Sequence, residues 1–110
     1  MQTKFWVYQP TGEIEEKLAD MPEDPGFGRL DAIIRPLLNG ADLEHVSVLH
    51  DGRRADMFVD DMGVLKKLQR NEAATKIYRA NWLAHHPDAN PENLSAIYGP
   101  AVLFERLVWF

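Results

Sequence analysis

The chain has no cysteine, which excludes disulfides, thiolate metal sites and cysteine nucleophiles. It has no apolar run near the ~20 residues that a membrane-spanning helix needs. Its first residues lack the basic start and apolar stretch of a secretory signal, so a cytoplasmic location is the default expectation. Internal repeats and low-complexity tracts are also missing. Basic residues are scarce early on: residues 1–61 hold thirteen acids against six Lys or Arg, while residues 62–110 hold four against six. The net charge of −5 opposes generic nucleic-acid binding, which relies on neutralising phosphates. Five of the later cations fall between Lys66 and Arg79, so the pattern describes an acidic body with one basic flank.

A length of 110 residues suits a single domain spanning 1–110. Residues 4–9 are aromatic and β-favouring. Pro10-Thr11-Gly12 signals a turn, and the alternation of Ile14, Glu16 and Leu18 with Glu13, Glu15 and Lys17 predicts a second strand paired back on the first. Its charges would discourage edge-to-edge aggregation. Asp20 to Gly28 reads as a loop. Leu30, Ile33, Ile34, Leu37 and Leu38 then recur at helical spacing, with Asn39-Gly40 as the stop. Pro36 inside that pattern predicts a kink or break. Leu43 to His50 and Met57 to Val59 read as strands of a hairpin turning at Asp51-Gly52. Val64 to Arg70 reads as a short helical turn or a packed loop.

Asn71 to His86 is the second helix. Asn71 is a good N-cap, Glu72 favours the positive end of the helix dipole, and Pro87 ends the run. Ala73, Ile77, Ala80 and Ala84 share one narrow stripe, expected to approach a sheet closely. Tyr78, Trp82 and His85 form a second stripe roughly opposite, with Lys76 and Arg79 on a flank between. Such a helix is either sandwiched in the fold or offers one face to a partner. Beyond it, Ala96–Tyr98 and Ala101–Phe110 read as the last extended region, bent at Gly99-Pro100 and apolar on both faces, as a central strand should be. The fold class expected is α+β: an antiparallel or mixed sheet of four to six strands with helices near 29–38 and 72–86.

Lys4–Pro10, Leu30–Gly40 running into Leu43-Glu44, Phe58-Val59-Asp60-Asp61-Met62-Gly63, Leu68 with Asn71, and Ile97-Tyr98-Gly99 together resemble an uncharacterised family of short proteins. That family is a domain of unknown function met in phages, plasmids and bacterial genomes. The departures are the helix extension through Trp82 to His86 and the aromatic C-terminal strand. The resemblance implies a mobile-element or accessory context and a compact α+β domain, and it brings no catalytic residues to carry over.

Several residue groups carry possible chemistry. Gly26-Phe27-Gly28 precedes a helix, but Asp31 stands where a dinucleotide fingerprint has its third glycine, so a plain loop-to-helix junction is expected. His85-His86-x-Asp88 has adjacent histidines that would not aim at one ion, and a helix-end surface pair is expected. Asp56, Asp60 and Asp61 are expected to be solubilising charge at a strand end. Ser47 shares a strand face with His45 but lacks a nucleophile elbow. Neither a cofactor, a metal nor an enzymatic activity is expected. The partner-binding candidates are Tyr78, Trp82, His85, Lys76 and Arg79.

Two functions follow from this reading. The first is a non-catalytic accessory protein-binding factor of mobile-element type, an inhibitor of host machinery being one form. The second is a nucleotide or nucleic-acid binding module using the basic flank 66–79. The terminal run Leu107-Val108-Trp109-Phe110 must be tied down, either within its own sheet or against another copy in a homodimer.

Overall fold

Two β-hairpins and one late strand build a single five-stranded antiparallel sheet with a helix on each face. The computed structural model describes residues 1–110, apart from the side chain of Pro91. The elements are β1 (Gln2–Tyr8), β2 (Ile14–Asp20), α1 (Gly26–Leu37), β3 (Leu43–His50), β4 (Arg53–Asp60), α2 (Glu72–His85) and β5 (Ala101–Phe104), with a short 3-10 turn at Pro91–Asn93. The strand order is β2-β1-β5-β4-β3, so the last strand lies in the middle. All pairings are antiparallel, and the fold is α+β.

Local chemistry explains the element boundaries. The β3–β4 hairpin turns at Asp51 and Gly52, both with positive φ (51° and 77°), as the primed two-residue turn requires. Helix α1 runs through Pro36 and stops one residue later. Gly40 N–H donates to Arg35 O at 2.8 Å, and Asn39 N–H to Pro36 O at 3.3 Å. With Asn39 at φ 58°, this is a Schellman stop, so the expected break at Pro36 coincides with the natural helix end. Arg35 in that last turn also pairs with Asp31 and Asp42.

The alternation of side chains along the strands divides the interior in two. On one face Phe5, Val7, Phe58, Val102 and Phe104 meet Leu30 and Ile34 of α1 and Leu38 at its C-cap. Each of those three residues is fully buried and contributes about 2 kcal/mol. On the other face Val48, Ala55, Met57, Val59, Ala101 and Leu103 meet Ala74, Ile77 and Tyr78 of α2. Every residue of β5 is buried, which is why it is apolar on both sides.

Three expectations are corrected. The last strand ends at Phe104 rather than running to Phe110. Glu105-Arg106 bends the chain away, and Val108 returns to the α1-side core. Asp56 recruits it: its Oδ2 accepts the N–H groups of Val108 (2.8 Å) and Trp109 (2.9 Å). Asp56 and Asp60 are therefore not solubilising surface charge, being 2% and 6% exposed. Finally, α2 is rotated from the expected orientation. Ala80 and Ala84 face solvent, while Ala74, Thr75 and Tyr78 turn inward.

Candidate functional site

The rotation of α2 has a polar cause. Asn71, Thr75 and Arg79 recur every four residues, and all three bind the backbone of the segment before β5. Asn71 is fully buried. Its Oδ1 accepts Ala74 N–H at 3.1 Å as a helix cap, and its Nδ2 donates to Tyr8 O and Gly99 O, both at 2.9 Å. Thr75 Oγ1 accepts Ile97 N–H at 2.9 Å. The Arg79 guanidinium donates to Leu94 O (2.9 Å) and Ser95 O (3.3 Å). One side of the helix is thus a clamp on residues 94–99.

That clamp absorbs part of the basic flank. Arg79, expected as a partner-binding cation, is held by backbone carbonyls. Lys66 Nζ pairs with Asp60 at 2.9 Å and Arg70 with Glu72 at 2.8 Å. Among the described residues, Lys67 and Lys76 are the members of the flank with no such partner, and Lys76 is exposed.

The aromatic stripe is divided between two hollows. Tyr78 is half-buried, packs against the α2-side core, and borders a hollow of about 240 Å³ that also carries Glu44, Asp61 and Tyr98. Trp82 and His85 instead line an open cleft of about 390 Å³ with Ser47, Val48, Arg54, Asn81 and His86. Asn81 Nδ2 donates to Ser47 O at 2.9 Å and fastens the helix to the outer edge of β3. Trp82 stacks on His86 with ring centroids 4.3 Å apart and planes at 20°, yet stays 39% exposed.

The histidines have defined tautomers. His85 Nδ1 meets Asn81 O at 2.9 Å, and His86 Nδ1 meets Trp82 O at 3.2 Å. A carbonyl only accepts, so Nδ1 carries the proton and each Nε2 is left for a ligand. The cleft lining holds Arg54 and two histidines and no carboxylate. Its chemistry suits an anionic or aromatic group. Arg54 of β4 borders this cleft and also a hollow of about 340 Å³ beside Glu23 and Glu105, a contribution the sequence pattern of α2 could not announce.

The remaining candidates have structural employment. His45 Nε2 lies 2.6 Å from Asp56 Oδ1, and its ring stacks on Trp109 at 5.2 Å. It is therefore engaged by Asp56, while Ser47 is exposed. Asp60 accepts Met62 N–H at 2.8 Å as well as Lys66. Gly26-Phe27-Gly28 forms the first turn of α1. Among the described residues no three His, Asp or Glu side chains gather closely enough to hold a metal ion. On the part of the sheet that α2 leaves open, Trp6 lies 4.7 Å from His50. The neighbouring Tyr8 phenol is raised above its ordinary pKa, first by burial and then by the charge of Asp51.

The terminal aromatics are treated unequally. Val108 and Trp109 are docked within the chain by Asp56 and His45, whereas Phe110 is 72% exposed. The short pieces that carried the sequence resemblance also meet. Gly63 lies against Tyr98, Leu68 against Gly99, and Asn71 against Ile97 and Gly99, all around the start of α2.

No family model matches the chain, and no curated protein or solved structure is significantly similar to it.

Proposed function

We propose that this chain is a non-catalytic accessory factor that binds a partner protein through the Trp82 cleft. The observation carrying the reading is that Trp82 stays 39% exposed while stacked on His86, beside Arg54 and His85. A rigid aromatic with an adjacent arginine is the usual composition of an energetic anchor at protein interfaces. The charge of the cleft selects its occupant: an acidic segment, its carboxylate on Arg54, a donor group on the free Nε2 of a histidine and an apolar side chain against Trp82. The family resemblance supplies the accessory, mobile-element context, with inhibition of a host protein as the form such binding takes.

Nucleotide or nucleic-acid binding on the flank 66–79 is the second reading. It is weakened by the employment of Lys66, Arg70 and Arg79 in contacts within the fold. A base stacked on Trp82 remains its best geometry. The two readings are separated by capture from a lysate with and without nuclease, followed by titration of the captured partner. Protein binding that ignores nuclease and weakens about 30-fold in Trp82→Ala (~2 kcal/mol) supports the first reading. Steeply salt-dependent binding to oligonucleotides, lost in the same variant, overturns it in favour of the second.

A further inference from the structure

The two edges of the sheet are not alike. The β3 edge is guarded by α2, with Asn81 capping Ser47 O. Strand β2 pairs with β1 alone, and among the described residues no strand or helix lies against its outer side. The phase of β1–β2 pairing is set at both ends. Met1 and Met21 exchange two bonds (2.9 and 3.0 Å), and Gln9 N–H donates to Glu13 O at 2.8 Å. In an antiparallel pair the bonded positions alternate. Residues 13, 15, 17, 19 and 21 therefore turn their amides toward β1, and Ile14, Glu16, Leu18 and Asp20 turn theirs outward.

These outward-facing residues also place their side chains on the sheet face that α2 leaves open, beside Lys4 and Trp6. Ile14 is 55% exposed there and Leu18 64%. Two large aliphatic side chains on an unguarded edge are an invitation to pairing.

We infer that β2 pairs with β2 of a second copy, antiparallel, about a twofold axis at Glu16. In this register Ile14 faces Leu18 of the second copy, and Leu18 faces its Ile14, so both exposed aliphatics are covered. On the opposite face Glu15 meets Lys17 and Lys17 meets Glu15, two complementary pairs related by the axis. Glu16 meets Glu16, but each is already offset by its own chain: Trp6 Nε1 donates to it at 3.2 Å and Lys4 Nζ lies 3.9 Å away. Three outward-facing pairs, two bonds each, give about six backbone hydrogen bonds.

The neighbouring register, centred on Lys17, is also permitted by the backbone. It sets Lys17 against Lys17, each offset by its own Glu15 at 3.4 Å, but it forms no opposite-charge pair across the seam and leaves each Leu18 against Glu16 in place of Ile14. The charges that repel a generic edge therefore match this edge in one alignment. The result is a ten-stranded sheet across two copies. Its two Trp82 clefts lie on the outer edges, nine strand spacings or roughly 40 Å apart. The pairing does not depend on what those clefts bind.

Sedimentation equilibrium on the full chain at concentrations on the order of 100 µM tests the inference. The wild type is expected to be a dimer. Glu16→Pro removes the two central bonds through an N–H that the monomer does not use, and is expected to give a folded monomer by circular dichroism. Glu15→Lys alone and Lys17→Glu alone place like charges opposite each other, and each is expected to raise the dimer dissociation constant at least tenfold. An equimolar mixture of those two variants restores every opposite-charge pair and is expected to form a heterodimer. A monomeric wild type, a dimer unaffected by Glu16→Pro, or single reversals whose mixture fails to associate would each overturn the pairing.

Discussion

Replacing Asn71 by alanine removes three side-chain hydrogen bonds at one fully buried point. The magnitude follows from what each bond does. Loss of the cap on Ala74 N–H costs about 1 kcal/mol. The Nδ2 bonds to Tyr8 O and Gly99 O are worth about 1 kcal/mol each, and both carbonyls are then left without that donor. The sum is about 3 kcal/mol out of the roughly 5–15 kcal/mol expected for a domain of this size. It corresponds to a fall in Tm of about 12 °C. Asn71→Asp is the sharper test. Aspartate caps a helix as well as asparagine does, so a residue that only caps would tolerate it. Here the exchange turns an NH₂ group that serves two carbonyls into an oxygen that opposes them. Urea unfolding followed by circular dichroism, with an unchanged denaturant slope, measures both variants. We expect Asn71→Asp to lose at least as much as Asn71→Ala. An aspartate variant within about 0.5 kcal/mol of wild type would refute the clamp argument, because it would reduce Asn71 to a cap.

Gly63→Ala places a Cβ 2.6 Å from Tyr98 O, a backbone atom between the clamped residues Ile97 and Gly99. The strain should destabilise the fold by about 2 kcal/mol, read as a lower urea midpoint. Asp56→Ala frees the N–H groups of Val108 and Trp109, so carboxypeptidase should trim the end of the chain faster and Trp109 fluorescence should rise as it leaves His45. Asp56→Asn keeps an oxygen for those two donors and offers an amide NH₂ to His45 Nε2 in its Nδ1–H tautomer, and should leave both signals close to wild type.

Features written in neighbouring residues were legible. Asp51-Gly52 is a turn wherever it lies between strands, because its two positive φ angles suit those residues. Asn71 began one helix and Asn39-Gly40 ended the other for equally local reasons. Features set by distant partners were not. Asp56 looks like surface charge until the backbone of Val108 and Trp109 arrives to satisfy it. The strand propensity of Leu107–Phe110 loses to that same carboxylate. Arg79 reads as a free cation, yet its guanidinium is occupied by carbonyls of Leu94 and Ser95, a segment with no pattern that announces it. Of the site itself, Trp82 and His85 were legible from helical spacing. Arg54 was not, since a hairpin on another element carries it there.

The position of β5 governs how the chain can reach this state. It is the last of the five strands in sequence, yet it joins β1 to β4. Before its synthesis the nascent chain holds two separate hairpins, each marginal in water by itself. Pairing Phe5 with Phe104 closes nearly the whole chain into one loop, at an entropic cost of about 4 kcal/mol. Both hairpins are joined through that single late strand, so we expect neither half of the sheet to be stable without the other. Four residues, Ala101 to Phe104, act as the keystone: a chain shortened to exclude them is two unjoined hairpins and not a smaller version of this protein.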